Sequence, residues 1–591
     1  VTSRSSVFAA LVVAAAAPLV AGAQQQQQQQ QHCPATTPGA TMPLTYQGGP
    51  TVAAITPCDL MSRLYIYAAD SMEGREAGTM GALRATAWME SEVRRLGLRP
   101  AGDNGGYFQA MPVTSRSLSG TSSVRVGGQM YRPAVDFGAT GLGSDRVVTG
   151  DVVFGGTLGD PTSAPDPDVV RGQIVIVRVP AGFRGFGRGG PGAGLLAAGA
   201  IVTVSPHITR PRPQFVLNDT VQNDGRASVA AAAAAIRGAT ASGMAPVTVT
   251  VTPALAAAML GKPLDQAARG DRGGRATIDL RVSTITSPTR SVVAVLPGTD
   301  PRLKHEYVVI GAHADHIGYA NGVVEHDSLK AYNMVARVEG ADSRNAPAPT
   351  EDQWERINAI KDSLRRMYPA RLDSISNGAD DDGSGSVSIL EIAEAFAKGP
   401  VKPKRSLLFI WQTGEEKGLW GSQWFTNHPT VPRDAIVADL NLDMVGRGAA
   451  TDVTGTNKEG HELKGADNYL QLVGSRRLST ELGDIVEAVS ARQTMPFALD
   501  YALDANGHPQ NIYCRSDHAN YARYGIPVVF FTTGGHSDYH QVTDEPEYIQ
   551  YEHMARVDQL VYDVALRVAN LDHRVVVDKA KPASPFARCQ Q

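Results

Sequence analysis

Histidine, aspartate and glutamate recur in this chain directly after short apolar runs. Tyr307 to Gly311 leads into Ala312-His313-Ala314-Asp315-His316, and Leu407 to Trp411 leads into Gln412-Thr413-Gly414-Glu415-Glu416. Ala438 to Leu442 leads into Asp443, and Val528 to Phe531 is followed one loop later by Tyr539-His540. Imidazole and carboxylate without thiolate form a donor set suited to zinc. A lone His or Glu at a loop edge is ordinarily a solvated polar residue; an ordered series after separate strands is not explained that way.

A second acidic cluster runs Asn377-Gly378-Ala379-Asp380-Asp381-Asp382-Gly383-Ser384. Adjacent carboxylates repel unless a cation or a helix N-terminus offsets them. The helical run Val387 to Ala397 follows at once.

The elements that must position these residues are legible as apolar runs of strand length: Val292 to Leu296, Tyr307 to Gly311, Ser406 to Trp411, Ile436 to Leu442 and Pro527 to Phe531. Helical segments separate them. The pattern predicts an α/β fold with a mixed, mostly parallel sheet between helices. In such sheets ligands bind beyond the carboxyl ends of the strands. Upstream, Leu60, Leu64 and Tyr67, then Ala85, Met89, Val93 and Leu96, recur at helical spacing over a stretch from Pro57 to Val113, with Gly97 placed to stop the second helix. Between Ser115 and Ser287 short Val/Ile/Thr runs such as 173–179 and 247–251 alternate with Gly- and Pro-rich turns, predicting a β-rich insert with one helix over 194–200. The Gly/Arg stretch 182–194 between two strand-like runs reads as a loop. A long polar segment, 326–374, contains an amphipathic helix over 351–367 and reads as a lid or a subunit contact.

At 591 residues the chain is long enough for two or three folded units. A net charge of -4 disfavours nucleic acid as a partner. The apolar run Val7 to Val20, closing on Ala21-Gly22-Ala23, predicts a signal peptide over 1–23 and hence a secreted or periplasmic location. A low-complexity linker over 24–56 follows, and no later run is long enough to span a membrane. Cys33, Cys58, Cys514 and Cys589 allow three pairings, Cys33 with Cys58 being nearest in sequence. The Lys/Pro/Ala-rich residues 574–591 are expected to be disordered.

GAHADH, GADDDGSGS, TGEEKGLWGS, NLDMVG and DYHQVTD occur in the order found in the co-catalytic two-zinc exopeptidases. That family includes bacterial leucyl aminopeptidase, glutamate carboxypeptidase and the catalytically silent transferrin receptor. The segment from Asp70, DSMEGREAGTMGALRATAWMESEVRRLGLRPAGDNGGYFQAMPV, is similar to the start of the same catalytic fold. VRGQIVIVRVPAGF followed by LLAAGAIVTVSP resembles the protease-associated domain inserted in many members. The resemblance implies catalytic segments at 57–114 and 288–573 around a protease-associated insert at 115–287. It implies two Zn2+ per chain, with His313 on one, His540 on the other, Asp381 bridging the two with its peptide bond to Asp382 cis, and Glu416 and Asp443 each completing one metal. Glu415 would take a proton from the water between the metals and pass it to the leaving amine. Tyr539 would stabilise the oxyanion, or serve as a packing aromatic. Asp315 would hold His313, and Asp544 would hold His540. His316 and His536 read as pocket-rim or core histidines, and Asp517-His518 as neighbours of the site.

The activity implied is that of an aminopeptidase acting on peptide substrates. A carboxypeptidase or dipeptidase shares the ligand set, and a receptor-like binding protein would have lost part of it. His305-Glu306 and His461-Glu462 lack the second histidine of a single-zinc HExxH site, and no GxSxG elbow is present.

Overall fold

In a computed structural model, the structure describes residues 33–36, 41–140, 142–158, 160, 166–180, 193–208, 213–221, 246–343, 346–585, 587 and 589–591. The expected signal peptide, part of the linker and most of the Gly/Arg loop lie outside the described residues. The chain divides into two compact units, residues 1–111 with 288–591, and residues 112–287.

The larger unit is built on a mixed sheet. Four strands lie side by side and parallel at its centre, in the spatial order Val528–Thr532, Ile436–Leu442, Tyr307–His313, Ser406–Gln412. Val282–Leu296 joins antiparallel beyond the last of these, and Tyr469–Val473 joins antiparallel beyond the first. Strand alternation splits the apolar residues between two faces. Val308, Ile310, Leu407, Phe409 and Trp411 face one core, which is closed by the helices Pro57–Tyr67, Met80–Leu96, Gly385–Lys398 and Tyr551–Ala569. Val309, Leu408 and Ile410 face the other, against Phe425 and Tyr521 from the helices Trp420–Asn427 and His518–Ala522. Both faces being covered, the strands read as unbroken apolar runs.

The helical stretch expected to reach Val113 ends at Leu96, where Gly97 adopts the left-handed conformation with φ 77°. Strand structure resumes at Phe108–Leu118. The helix Pro57–Tyr67 is fixed to Gly385–Lys398 by Arg63, which is buried against Glu391 and Glu394.

The long polar segment forms a paired antiparallel stem, Gly318–Glu325 with Leu372–Ser376. Two helices, His326–Ala336 and Glu351–Met367, rise from it and pack through Ala331, Val335 and Ile357. A capping box of Thr350 and Gln353 starts the second helix. Near the chain's end, Cys589 is disulfide-bonded to Cys514, and Gln591 accepts from the Tyr513 amide at 3.1 Å. Arg574, 3.1 Å from Glu306, makes a further contact near the start of the segment expected to be a disordered tail. Cys33 pairs with Cys58.

The smaller unit holds an eight-stranded sheet with Arg146–Thr157 and Ile174–Arg178 near its middle, packed around Phe137, Phe154, Ile176, Val249 and Ile278. The longest helix among its described residues is Pro253–Leu260, capped by the Thr252 side chain. The helix expected over 194–200 is a single 3-10 turn, Ala193–Ala197, cut short because the chain must enter the strand Ala200–Val204. No helix of the described residues is long and apolar enough to cross a membrane.

Candidate metal and active site

The strand Tyr307–His313 has Ser406–Gln412 on one side and Ile436–Leu442 on the other, so the chain reverses its direction of travel across the sheet at this point. A crevice opens beyond the carboxyl ends at such a reversal. His313 closes its strand, Glu415 and Glu416 follow Gln412, Asp443 follows Leu442, and the loop after Thr532 carries Tyr539 and His540.

Asp381 enters from the turn before the helix Gly385–Lys398. Its Oδ1 lies 3.1 Å from His313 Nε2, and its Oδ2 lies 3.1 Å from His540 Nε2. Asp443 Oδ1 is 3.7 Å from His313 Nε2, and Glu416 Oε2 is 3.0 Å from His540 Nε2. The five side chains thus form two groups that share one carboxylate.

His316 joins the second group, with Nδ1 at 2.9 Å from Glu416 Oε1 and 3.8 Å from Asp381 Oδ2. The sequence pattern treated it as a rim or core histidine. It is fully buried, but its ring faces the two acids. Its position three residues after His313 was the available signal, and a strand that stopped at His313 did not reveal which way the following bend would turn.

The three contiguous aspartates have different duties. Asp382 accepts from the amides of His313 at 2.9 Å and Gly385 at 2.8 Å. Asp380 accepts from the Gly446 amide at 2.6 Å and faces His536 at 3.0 Å. Backbone amides and one imidazole therefore neutralise the outer two, and only Asp381 faces the cleft. The peptide bond between Asp381 and Asp382 is cis. Gly378 is required beside them: at φ +58°, a Cβ there would sit 2.2 Å from the Asp381 carbonyl and 2.5 Å from the His316 ring.

Asp544 does not hold His540 as expected. Its carboxylate accepts from the amides of Asp380 at 3.0 Å and Asp381 at 3.1 Å, bracing the acidic turn instead. Asp315 Oδ1 accepts from the amides of Gly414 at 2.6 Å and Glu415 at 3.1 Å and lies 3.8 Å from His313 Nδ1, whose nearer partner is the Asp315 carbonyl at 3.1 Å. Ser516 donates to Asp443 Oδ2 at 2.6 Å, a role the sequence did not show. In the same stretch Asp517 accepts from Ser422, and His518 stacks on Phe530 with ring centroids 4.9 Å apart.

Glu415 lines a cleft together with Asp381, Asp443 and Tyr539. Burial pushes its carboxyl well above the usual range, opposed by His313 and reinforced by Glu416. Burial also pushes Asp381 upward, but His313 and His540 outweigh it and hold that carboxyl well below its ordinary value. Tyr539 stacks on His540 with centroids 4.0 Å apart, and its hydroxyl accepts from Arg515 at 3.0 Å. The other arm of Arg515 donates to Asp342 at 2.7 Å, which belongs to the helical excursion on the polar stem. That excursion reaches the cleft through backbone contact: Ala341 donates to the Tyr539 carbonyl at 3.0 Å, and a Cβ on Gly340 would meet the same carbonyl at 2.5 Å.

The donor set fits zinc. His313 Nε2, His316 Nδ1, Asp381 Oδ2 and Glu416 Oε1 are buried and, though close to one another or to His540, make no well-directed hydrogen bond among the described residues. Buried polar atoms are ordinarily satisfied, so a cluster of orphans at one point calls for a cation. Nitrogen and oxygen atoms of His313, Asp381 and Asp443, and of His316, Asp381 and Glu416, lie within 4.8 Å of one another.

Residues 361–565 match the model of peptidase family M28. Leucine aminopeptidase 1 of Coccidioides posadasii (strain C735) is 31% identical over 224 residues, covering 36% of this chain and 52% of that one. Leucine aminopeptidase 1 of Aspergillus fumigatus is 27% identical over 248 residues, covering 40% and 56%. The chain spans about half the length of these curated relatives. Among solved structures, a zinc aminopeptidase from Bacillus subtilis superposes with a TM-score of 0.49 at 15% identity, over 90% of this chain and 100% of that one.

Proposed function

We propose, from the match of residues 361–565 to the model of peptidase family M28, that the chain is an exported two-zinc aminopeptidase that removes residues from the N-terminus of peptides. The observation that carries this reading is the double engagement of Asp381, 3.1 Å from a histidine on each side. His313 and Asp443 would hold one ion, Glu416 and His540 the other, with Asp381 between them and His316 beside the second. Bound zinc supplies Lewis acidity, polarising the scissile carbonyl and lowering the pKa of an attacking water.

The chain's own groups do the rest. Glu415 is held by its amide on Asp315, so its carboxylate can accept the proton of the attacking water and return it to the leaving amine. The Tyr539 hydroxyl accepts from Arg515 and so has its own proton to donate to the developing oxyanion. The two disulfides, Cys33 with Cys58 and Cys514 with Cys589, support export, because such bonds persist in oxidising compartments.

Zinc analysis with a leucyl-nitroanilide assay tests the reading. Two ions per chain, turnover abolished by chelation, and Glu415→Gln losing several orders of magnitude in kcat while retaining zinc are expected. Free peptides should be cleaved and N-blocked ones spared; cleavage of blocked peptides from the carboxyl end, or a zinc-free chain, would overturn it.

A further inference from the structure

Beyond the reacting centre, the same cleft has an apolar wall made by Met444, Leu503, Ile512 and Phe530, with Gly455 set into it. An apolar wall alone would accept any aliphatic side chain. This one has a carboxylate in it. Glu339, from the helical excursion on the polar stem, lies over Gly455: a Cβ built there would meet Leu503 Cδ2 at 3.4 Å and Glu339 Oε1 at 3.9 Å. Gly455, at φ +120°, leaves the space open.

Glu339 Oε1 is buried and has no hydrogen-bond partner among the described residues. The cation nearest in kind, Arg515, is already engaged by Asp342 at 2.7 Å and by the Tyr539 hydroxyl at 3.0 Å. Asp342 and Glu462 add like charge around Glu339, which the Thr456 hydroxyl, hydrogen-bonded to it, and the charge of Arg515 only partly offset. A half-buried carboxylate with one inaccessible oxygen and net like charge around it is stabilised by an incoming cation more than by a neutral or anionic ligand.

We infer that the cleft selects peptides whose first residue is lysine or arginine, with Glu339 as the specificity-determining residue that reads the cationic head while the apolar wall takes the methylene stem. This rests on the aminopeptidase reading and adds the substrate class to it. Long cationic side chains match such a pocket because an apolar stem and a charged tip need different surroundings. Leucine fills the wall and stops short of the acid.

The test compares lysyl-, arginyl-, norleucyl- and leucyl-nitroanilides on the zinc-loaded full chain. Norleucine keeps the straight stem of lysine and lacks its ammonium, so the lysine-to-norleucine ratio isolates the charge without any mutation. We expect kcat/KM for lysine and arginine to exceed norleucine at least tenfold, and Glu339→Gln to lower the lysine-to-norleucine ratio at least tenfold. Norleucine equal to or better than lysine in the parent chain overturns the assignment whatever the variant does, and so does a ratio that Glu339→Gln leaves within threefold. Turnover of leucyl and norleucyl substrates with either of those results sinks this inference alone; no turnover of any aminoacyl substrate sinks the aminopeptidase reading, and this inference with it.

Discussion

The Tyr539 hydroxyl accepts a hydrogen bond from Arg515 at 3.0 Å, and the Tyr539 ring lies stacked on His540 at 4.0 Å. One residue is thereby oriented by both a guanidinium and a proposed ligand. Tyr539→Phe keeps the stack and removes the donor. Its kcat is expected to fall on the order of 100-fold with little change in KM, the loss typical of one oxyanion donor. Steady-state kinetics on a leucyl substrate decide this; a kcat within threefold of the parent would make Tyr539 a packing residue only.

Much of this site was legible because the strands are buried on both faces. Val308 to Ile310 and Leu407 to Trp411 had to read as apolar runs, and the first polar residues after them had to sit at the sheet's edge. Contacts made by backbone atoms left no comparable trace. The approach of Gly340 and Ala341 to Tyr539 depends on main-chain geometry, so the polar segment 326–374 reads from sequence as a lid or a subunit contact without showing which of its residues reach the cleft. Asp544 was assigned to the wrong partner for a related reason: its carboxylate serves the amides of Asp380 and Asp381, which no side-chain pattern encodes.

Asp315 connects two ligand-bearing segments, since its carboxylate binds the amides at Gly414 and Glu415 while its carbonyl faces His313 Nδ1. Asp315→Ala should weaken zinc affinity about 10- to 100-fold, the usual cost of losing a group that orients ligands. Asp315→Asn, which retains an accepting oxygen, should recover part of the loss. Competition with a chelating dye measures it, and unchanged affinity in the alanine variant would remove Asp315 from the site's support.

Arg63 is buried between Glu391 and Glu394 on the helix that begins just after Asp381 to Ser384, so packing energetics and site geometry meet there. Removing one partner of a buried ionic cluster leaves charges without water or counter-ion. Arg63→Met is expected to cost about 3–5 kcal/mol in unfolding free energy. Urea unfolding tests this, and a change below about 1 kcal/mol would show that Arg95, 3.2 Å from Glu394, compensates.

Asp558 is fully buried in the helix Tyr551–Ala569, and burial pushes its carboxyl up to about 8, with Ser388 and Arg63 pulling the other way. In the unfolded chain it titrates near the ordinary aspartate value of about 3.8. Between these values the folded state binds the extra proton, so stability declines as pH rises from about 4 to about 8 and is level on either side. Asp558→Asn keeps the shape and cannot ionise. The stability of the variant relative to the parent should therefore rise with pH across that window, whatever constant offset the substitution brings. Urea midpoints taken at intervals from about pH 4 to about pH 9 read this difference directly. Parallel curves for the two proteins would mean that Asp558 stays ionised in the fold, sharing the Arg63 charge rather than being held neutral by burial.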